Sequence, residues 1–306
     1  MNRKASQLEL LEAKIRDEEL KHHDLKPDNE ARIVWFDNQK RKKTQNALVY
    51  LHGFTASQGE GYPVHVEFAK RYGMNLYLSR LARHGFNQDQ LTELSSQKLL
   101  ESASHAINIG RQLGSNVYLM GTSTGASLAL YLASTLPDIK AVITYSPLIR
   151  FYNPRIDWIT RRSAELIFNG LQRWRNSFHI RSVDPYEKQY WYPTYDIQSL
   201  NALRSLIYRT MNEATYHRIK CPVFAGYYYK NKQLQDQRVS VPAILNMFNS
   251  LATPVNEKRK RNFPSAESHV IACKYTSKAW KEVQDETFLF AEEILQLTPV
   301  LYKNRL

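Results

Sequence analysis

The residues best suited to chemistry are Gly121-Thr122-Ser123-Thr124-Gly125. A serine with glycine two residues before and two after it fits a sharp turn between a strand and a helix. Such a turn projects the hydroxyl above the sheet as a nucleophile. Small flanking residues are needed because the backbone folds closely upon itself there. The context agrees: the short apolar run Val117-Tyr118-Leu119-Met120 precedes the motif and the apolar helical stretch Thr124–Leu136 follows it. Ser123 then lies near a helix N-terminus, whose free N–H groups favour developing negative charge. A plain Gly/Ser turn is the competing reading, and the presence of a base decides between them.

An elbow of this kind takes its partners in the chain order serine, acid, histidine. Of the histidines, His269 alone follows His217, in the loop after the strand-like Lys258–Phe263. The acid must hold the imidazole in one tautomer and stabilise its cation. Asp236 is the first carboxylate after the strand-like Cys221–Tyr229, and no acid follows Tyr145-Ser146-Pro147. Glu257 and Glu267, flanking the last strand, are weaker alternatives. An oxyanion needs two N–H donors. Thr124, after the nucleophile, supplies one, and Phe54 in His52-Gly53-Phe54 supplies the other, with Thr55 as the second choice. His52 orders that loop and does not act as a base. Gly121, Gly125 and Gly53 keep the backbone close.

Strand and helix signals alternate from about residue 30. Strands are expected at Ala31–Phe36, Ala47–Leu51, Asn75–Leu81, Val117–Met120, Ala141–Tyr145, Cys221–Tyr229 and Lys258–Phe263. Helices are expected at Val64–Tyr72, Thr92–Leu113 closed by Gly114, Thr124–Leu136, Asp196–Met211, Val241–Leu251 and Ser277–Leu297. The alternation predicts an α/β fold, a mostly parallel sheet with helices on both faces. It stops between residues 150 and 193, a stretch rich in Arg, Trp and Tyr with an amphipathic helix near Asp157–Arg175 and no convincing buried strand. The expected organisation is an N-terminal helical extension over 1–29, a core over 30–149 and 194–306, and a helical cap inserted at 150–193.

The formal charge is +13 over 306 residues, but residues 44–149, which hold the elbow and the oxyanion loop, carry only +1. Residues 150–220 carry +6. A nucleic-acid binder would carry its charge on the recognition surface, so no nucleic-acid partner is expected. Two cysteines exclude a disulfide-dense scaffold, and no Cys/His spacing suggests a metal; His22-His23 has no third ligand nearby. Gly59-Glu60-Gly61 lacks the third glycine and preceding strand of a dinucleotide loop. No signal peptide or spanning segment is read, which leads to a cytoplasmic expectation. Glycine is scarce, with eleven in the chain, and nine of them fall between Gly53 and Gly125.

In this order His52-Gly53-Phe54, Gly121–Gly125, Asp236 and His269 resemble the α/β-hydrolase superfamily over roughly residues 31–295. The chain is most similar to the branch of carboxylesterases and monoacylglycerol-lipase-like serine hydrolases. Arg83-His84-Gly85 resembles a degenerate form of that branch's Gly-His-Gly loop. The resemblance implies hydrolysis of a small-molecule ester through an acyl-enzyme on Ser123, without metal or organic cofactor. The same triad could serve thioester, amide or C–C hydrolysis, and a basic non-catalytic binding protein is the remaining alternative. The cap helix, with Arg161, Arg162, Arg173 and Arg175 beside its apolar stripe, would pack on the core. Its basic face offers attraction for anionic substrates or weak contact with an anionic membrane surface.

Overall fold

A computed structural model describes residues 6–87, 90–156, 177–179, 184–196 and 199–300. The expected helix Asp157–Arg175, with its four arginines, lies outside the described residues. Among the described residues no helix is long and apolar enough to cross a membrane, and no group of three His, Cys, Asp or Glu could hold a metal.

The strands are β1 (Arg32–Val34), β2 (Thr44–Leu51), β3 (Asn75–Leu78), β4 (Gly114–Thr122), β5 (Ile139–Tyr145), β6 (Ser177–His179), β7 (Thr194–Asp196), β8 (Val223–Tyr227) and β9 (Lys258–Asn262). Seven of them form one sheet in the order β1-β3-β2-β4-β5-β8-β9. Only the edge strand β1 runs antiparallel to its neighbour, and the other pairings are parallel. Parallel strands must cross over through a helix, which is why the sequence alternates strand and helix.

Both faces of the central strands are buried, so their sequences read as continuous apolar runs. Alternate residues still go to opposite cores. Ala47, Val49 and Leu51 of β2 join one cluster, while Leu48 and Tyr50 join the other. The first core packs against α3 (Ser96–Leu113) and α4 (Thr124–Thr135) through Leu99, Ala103, Ile107 and Leu128. The second packs against α2 (Val64–Arg71) and the closing helix Trp280–Glu293 through Phe68, Val283 and Phe290. The N-terminal helix α1 (Gln7–Glu19) begins at a Ser6 capping box and lies against β1. The largely buried Arg80–Glu19 ion pair, at 2.6 Å, ties it to the core.

Some boundaries differ from expectation. Gly114 does not cap α3 in a left-handed turn; it is extended (φ −144°) and opens β4. A Cβ there would lie 2.5 Å from the Ala47 amide nitrogen, so close strand contact accounts for this glycine. The helix expected from Thr92 starts at Ser96, because the Ser95 side chain accepts the Lys98 N–H and caps it. The strand expected to reach Leu81 ends at Leu78. The small ribbon of β6 and β7 was not foreseen, and it pairs residues on both sides of the expected 193/194 boundary.

Candidate active site

Ser123 sits between β4 and α4 with φ 52° and ψ −115°, a conformation that L-residues adopt only under constraint. The constraint is visible in its neighbours. The Ser123 N–H donates to Tyr145 O on β5, and its carbonyl accepts from the Ser127 and Leu148 amides. A Cβ on Gly125 would lie 2.0 Å from Leu51 O, and one on Gly121 would lie 2.6 Å from the Gly125 carbonyl carbon. The steric reason read from the motif therefore has named atoms. Ser123 is 8% exposed and lines a cavity of about 560 Å³.

His269 lines the same cavity, in the loop after β9. Its Nδ1 lies 2.7 Å from Asp236 Oδ2. Ser146 Oγ donates to the His269 carbonyl at 2.7 Å and pins the loop. Asp236 is buried, and its Oδ1 accepts the Arg238 and Val239 amides at 2.8 and 3.1 Å. Burial alone pushes its carboxyl up, but the His269 ring and these N–H groups together hold it below the usual aspartate range. Asp236 reaches this position although Lys230–Gln235 separates it from the strand. That segment folds on itself: Tyr229 bridges Gln235, and the Asp236 N–H returns to Tyr228 O. Glu267 lines the cavity but pairs with Lys278 at 2.6 Å. The structure gives Glu257 no contact with His269.

Phe54 and Thr124 line the cavity beside Ser123, as does Thr55. The Phe54 ring packs edge-on against Tyr195 at 5.3 Å. Thr124 Oγ1 is buried without a hydrogen-bond partner. His52 is fully buried behind the loop. The Leu81 N–H donates to its Nε2 at 3.0 Å, so Nδ1 carries the proton and donates to Gly53 O at 2.9 Å. Burial, then the neighbouring His84, hold its pKa well below the usual histidine value. A neutral ring with both nitrogens engaged orders the loop. Arg83-His84-Gly85 lies against it, with the His84 ring 5.0 Å from that of His52.

One residue of the cavity was not singled out from sequence. Glu60 is 2% exposed, and its Oε2 accepts the Gly53 N–H at 2.5 Å. Burial pushes its carboxyl up to about 7, against smaller opposing effects from the Gly53 amide, His269 and the Trp191 indole. The only sequence signal was its flanking glycines. A Cβ on Gly59 would meet the Tyr190 ring at 2.4 Å, and one on Gly61 would meet His65 at 2.5 Å and Tyr50 at 2.6 Å. Aromatic rings thus clamp the short turn Gln58–Gly61 and aim Glu60 inward.

No protein-family model matches the chain. A thermostable monoacylglycerol lipase of a Bacillus species is 27% identical over 176 residues, which are 57% of this chain and 66% of that enzyme. The match thus spans just under two thirds of the relative's length. A metagenome-derived lipolytic enzyme superposes with a TM-score of 0.69 at 15% identity, covering 87% of this chain and 98% of its own. A soluble variant of the Saccharomyces cerevisiae monoglyceride lipase gives a TM-score of 0.63 at 12% identity, covering 87% of this chain and 92% of its own. The chain has the α/β-hydrolase fold.

Proposed function

We propose that the protein is a serine hydrolase that cleaves carboxylic esters with Ser123, His269 and Asp236 as its triad. The observation that carries this reading is the 2.7 Å contact of His269 with the buried Asp236, on the cavity that also holds the strained Ser123. The similarity to a monoacylglycerol lipase supports the ester class, with a monoacylglycerol as a first substrate to try.

In this mechanism Ser123 Oγ attacks the ester carbonyl while His269 takes its proton. Asp236 holds the ring by Nδ1–H, which leaves Nε2 as the base, and stabilises the imidazolium that forms. The Thr124 and Phe54 N–H groups hold the tetrahedral oxyanion. His269 then returns the proton to the leaving alcohol, and water enters by the same route to release the acid. Phe54, Leu148, Phe151 and Leu200 give the cavity apolar walls for an acyl chain. Trp191 and Tyr192, at the end of the expected cap segment, line the cavity.

A fluorophosphonate probe, with p-nitrophenyl esters assayed on wild type and Ser123→Ala, tests the reading. Labelling at Ser123 and loss of ester turnover in the variant are expected. An unlabelled Ser123 overturns it.

A further inference from the structure

The triad leaves a buried carboxyl of the cavity without a role. Glu60 is buried with its carboxyl against the Gly53 peptide, and no Lys or Arg ion pair reaches it among the described residues. It is also next to the reacting atoms. A Cβ built on Gly53 would stand 2.8 Å from Glu60 Oε1 and 3.2 Å from Ser123 Cβ, so the carboxyl and the serine pack on one glycine. That glycine leads directly into Phe54.

We propose that Glu60 is a positioning residue for the reaction at Ser123. It holds the Gly53 peptide that sets the Phe54 amide, and it does so as a neutral acid, so that its ionisation switches the site down. This deepens the esterase reading and rests on it.

One physical effect gives the switch its direction. A carboxylate buried beside Ser123 places a second negative charge where the oxyanion must form, and in a water-poor site that repulsion is weakly screened. Among the described residues, the groups that face Glu60 do not offset this. Tyr50 from β2 and Cys273 from the loop after β9 are neutral partners, and Trp191 from the cap return offers only an indole N–H. Among the described residues that face it, His269 is the one that can become cationic, and it must be neutral to act as base. Glu187, Lys188, Arg238 and Glu267 line the same cavity without an ion pair to Glu60. The flanking turn is built to hold the carboxyl in place. His65 Nε2 donates to Gln58 O at 2.8 Å, and the Tyr50 ring rests edge-on against His65. The Gly53–Glu60 contact therefore joins two ordered segments, the oxyanion loop and the turn that follows it.

The test is the pH profile of kcat/KM on a neutral p-nitrophenyl ester, read together with the rate of fluorophosphonate labelling of Ser123. In wild type both should fall above neutral pH, by about tenfold one pH unit beyond the midpoint of a single ionisation. In Glu60→Gln the amide still accepts the Gly53 N–H but cannot ionise, and the alkaline fall should vanish. A purely structural glutamate would lower activity equally at every pH and would leave the shape of the profile unmoved. Should Glu60→Gln fail to fold, the wild-type labelling rate decides alone: a rate that climbs to a plateau and holds it to pH 9 overturns the proposal. Persistence of the alkaline limb in Glu60→Gln also overturns it. If Ser123 is not labelled at any pH, the esterase reading itself fails, a result distinct from a labelled enzyme with a flat alkaline limb.

Discussion

Two buried carboxyls in this site are pushed in opposite directions, and the cause is local. Asp236 faces a histidine ring and two N–H groups and is held ionised. Glu60 has one N–H, one indole and much desolvation, and is raised from 4.5 to about 7. The consequences for stability have opposite signs. A depressed pKa gives stability that is present above the ordinary aspartate value and is lost as pH falls through the folded pKa. A raised carboxyl pKa makes the folded state bind the extra proton, so stability is lost as pH rises from about 4.5 to 7. The shift of Glu60 corresponds to about 3 kcal/mol. Urea unfolding should therefore show Glu60→Gln gaining on wild type by roughly that amount between pH 4 and pH 8. Asp236→Asn should retain the fold but lose about 10³- to 10⁴-fold in kcat, because the amide stabilises the wrong tautomer of His269. A loss below tenfold would remove Asp236 from the triad.

Elements bring these residues together in ways that were unevenly legible. The apolar runs of β2, β4 and β5 announced a parallel sheet, because strands buried on both faces need little alternation. The elbow was legible for a steric reason now attached to atoms: Gly125 has no room for a Cβ against Leu51 O. Asp236 is expected from its position after the penultimate strand and lies 2.7 Å from His269, although the self-pairing of Lys230–Gln235 that brings it back cannot be read from that segment's composition. β6 and β7 were missed because Ser-Phe-His and Thr-Tyr-Asp carry no apolar run. Glu60 was missed because its meaning depends on Tyr50, His65 and Tyr190 arriving from elsewhere in the chain. The N-terminal segment was read as a helical extension, yet it also grips the wall of the site. Lys26 Nζ donates to the Lys188 and Trp191 carbonyls at 2.8 and 2.9 Å, and Asn29 Nδ2 donates to Gln189 O. Lys26→Met should leave those carbonyls unsatisfied and destabilise the protein by about 2 kcal/mol in urea. It should also raise KM, because Trp191 lines the cavity. An unchanged KM and midpoint would show that the clasp is incidental.

At the scale of the molecule, the charge of +13 is concentrated away from the elbow-bearing segment. On the proposed function, that distribution predicts an effect on what approaches the site and not on the bond being broken. Fields of this kind weaken with ionic strength. Raising salt from 50 to 300 mM should lower kcat/KM severalfold for an ester bearing a carboxylate and leave a neutral isostere within twofold. Equal responses would deny the charge any steering role.

The account rests on Ser123 becoming acylated, and that can be seen directly. The enzyme is quenched in acid during turnover of p-nitrophenyl butyrate, digested, and its peptides weighed. The prediction is a butyryl mass on the peptide carrying Ser123, absent from Ser123→Ala. Sustained ester turnover by wild type with no acyl mass on Ser123, or an equal rate in Ser123→Ala, would contradict it.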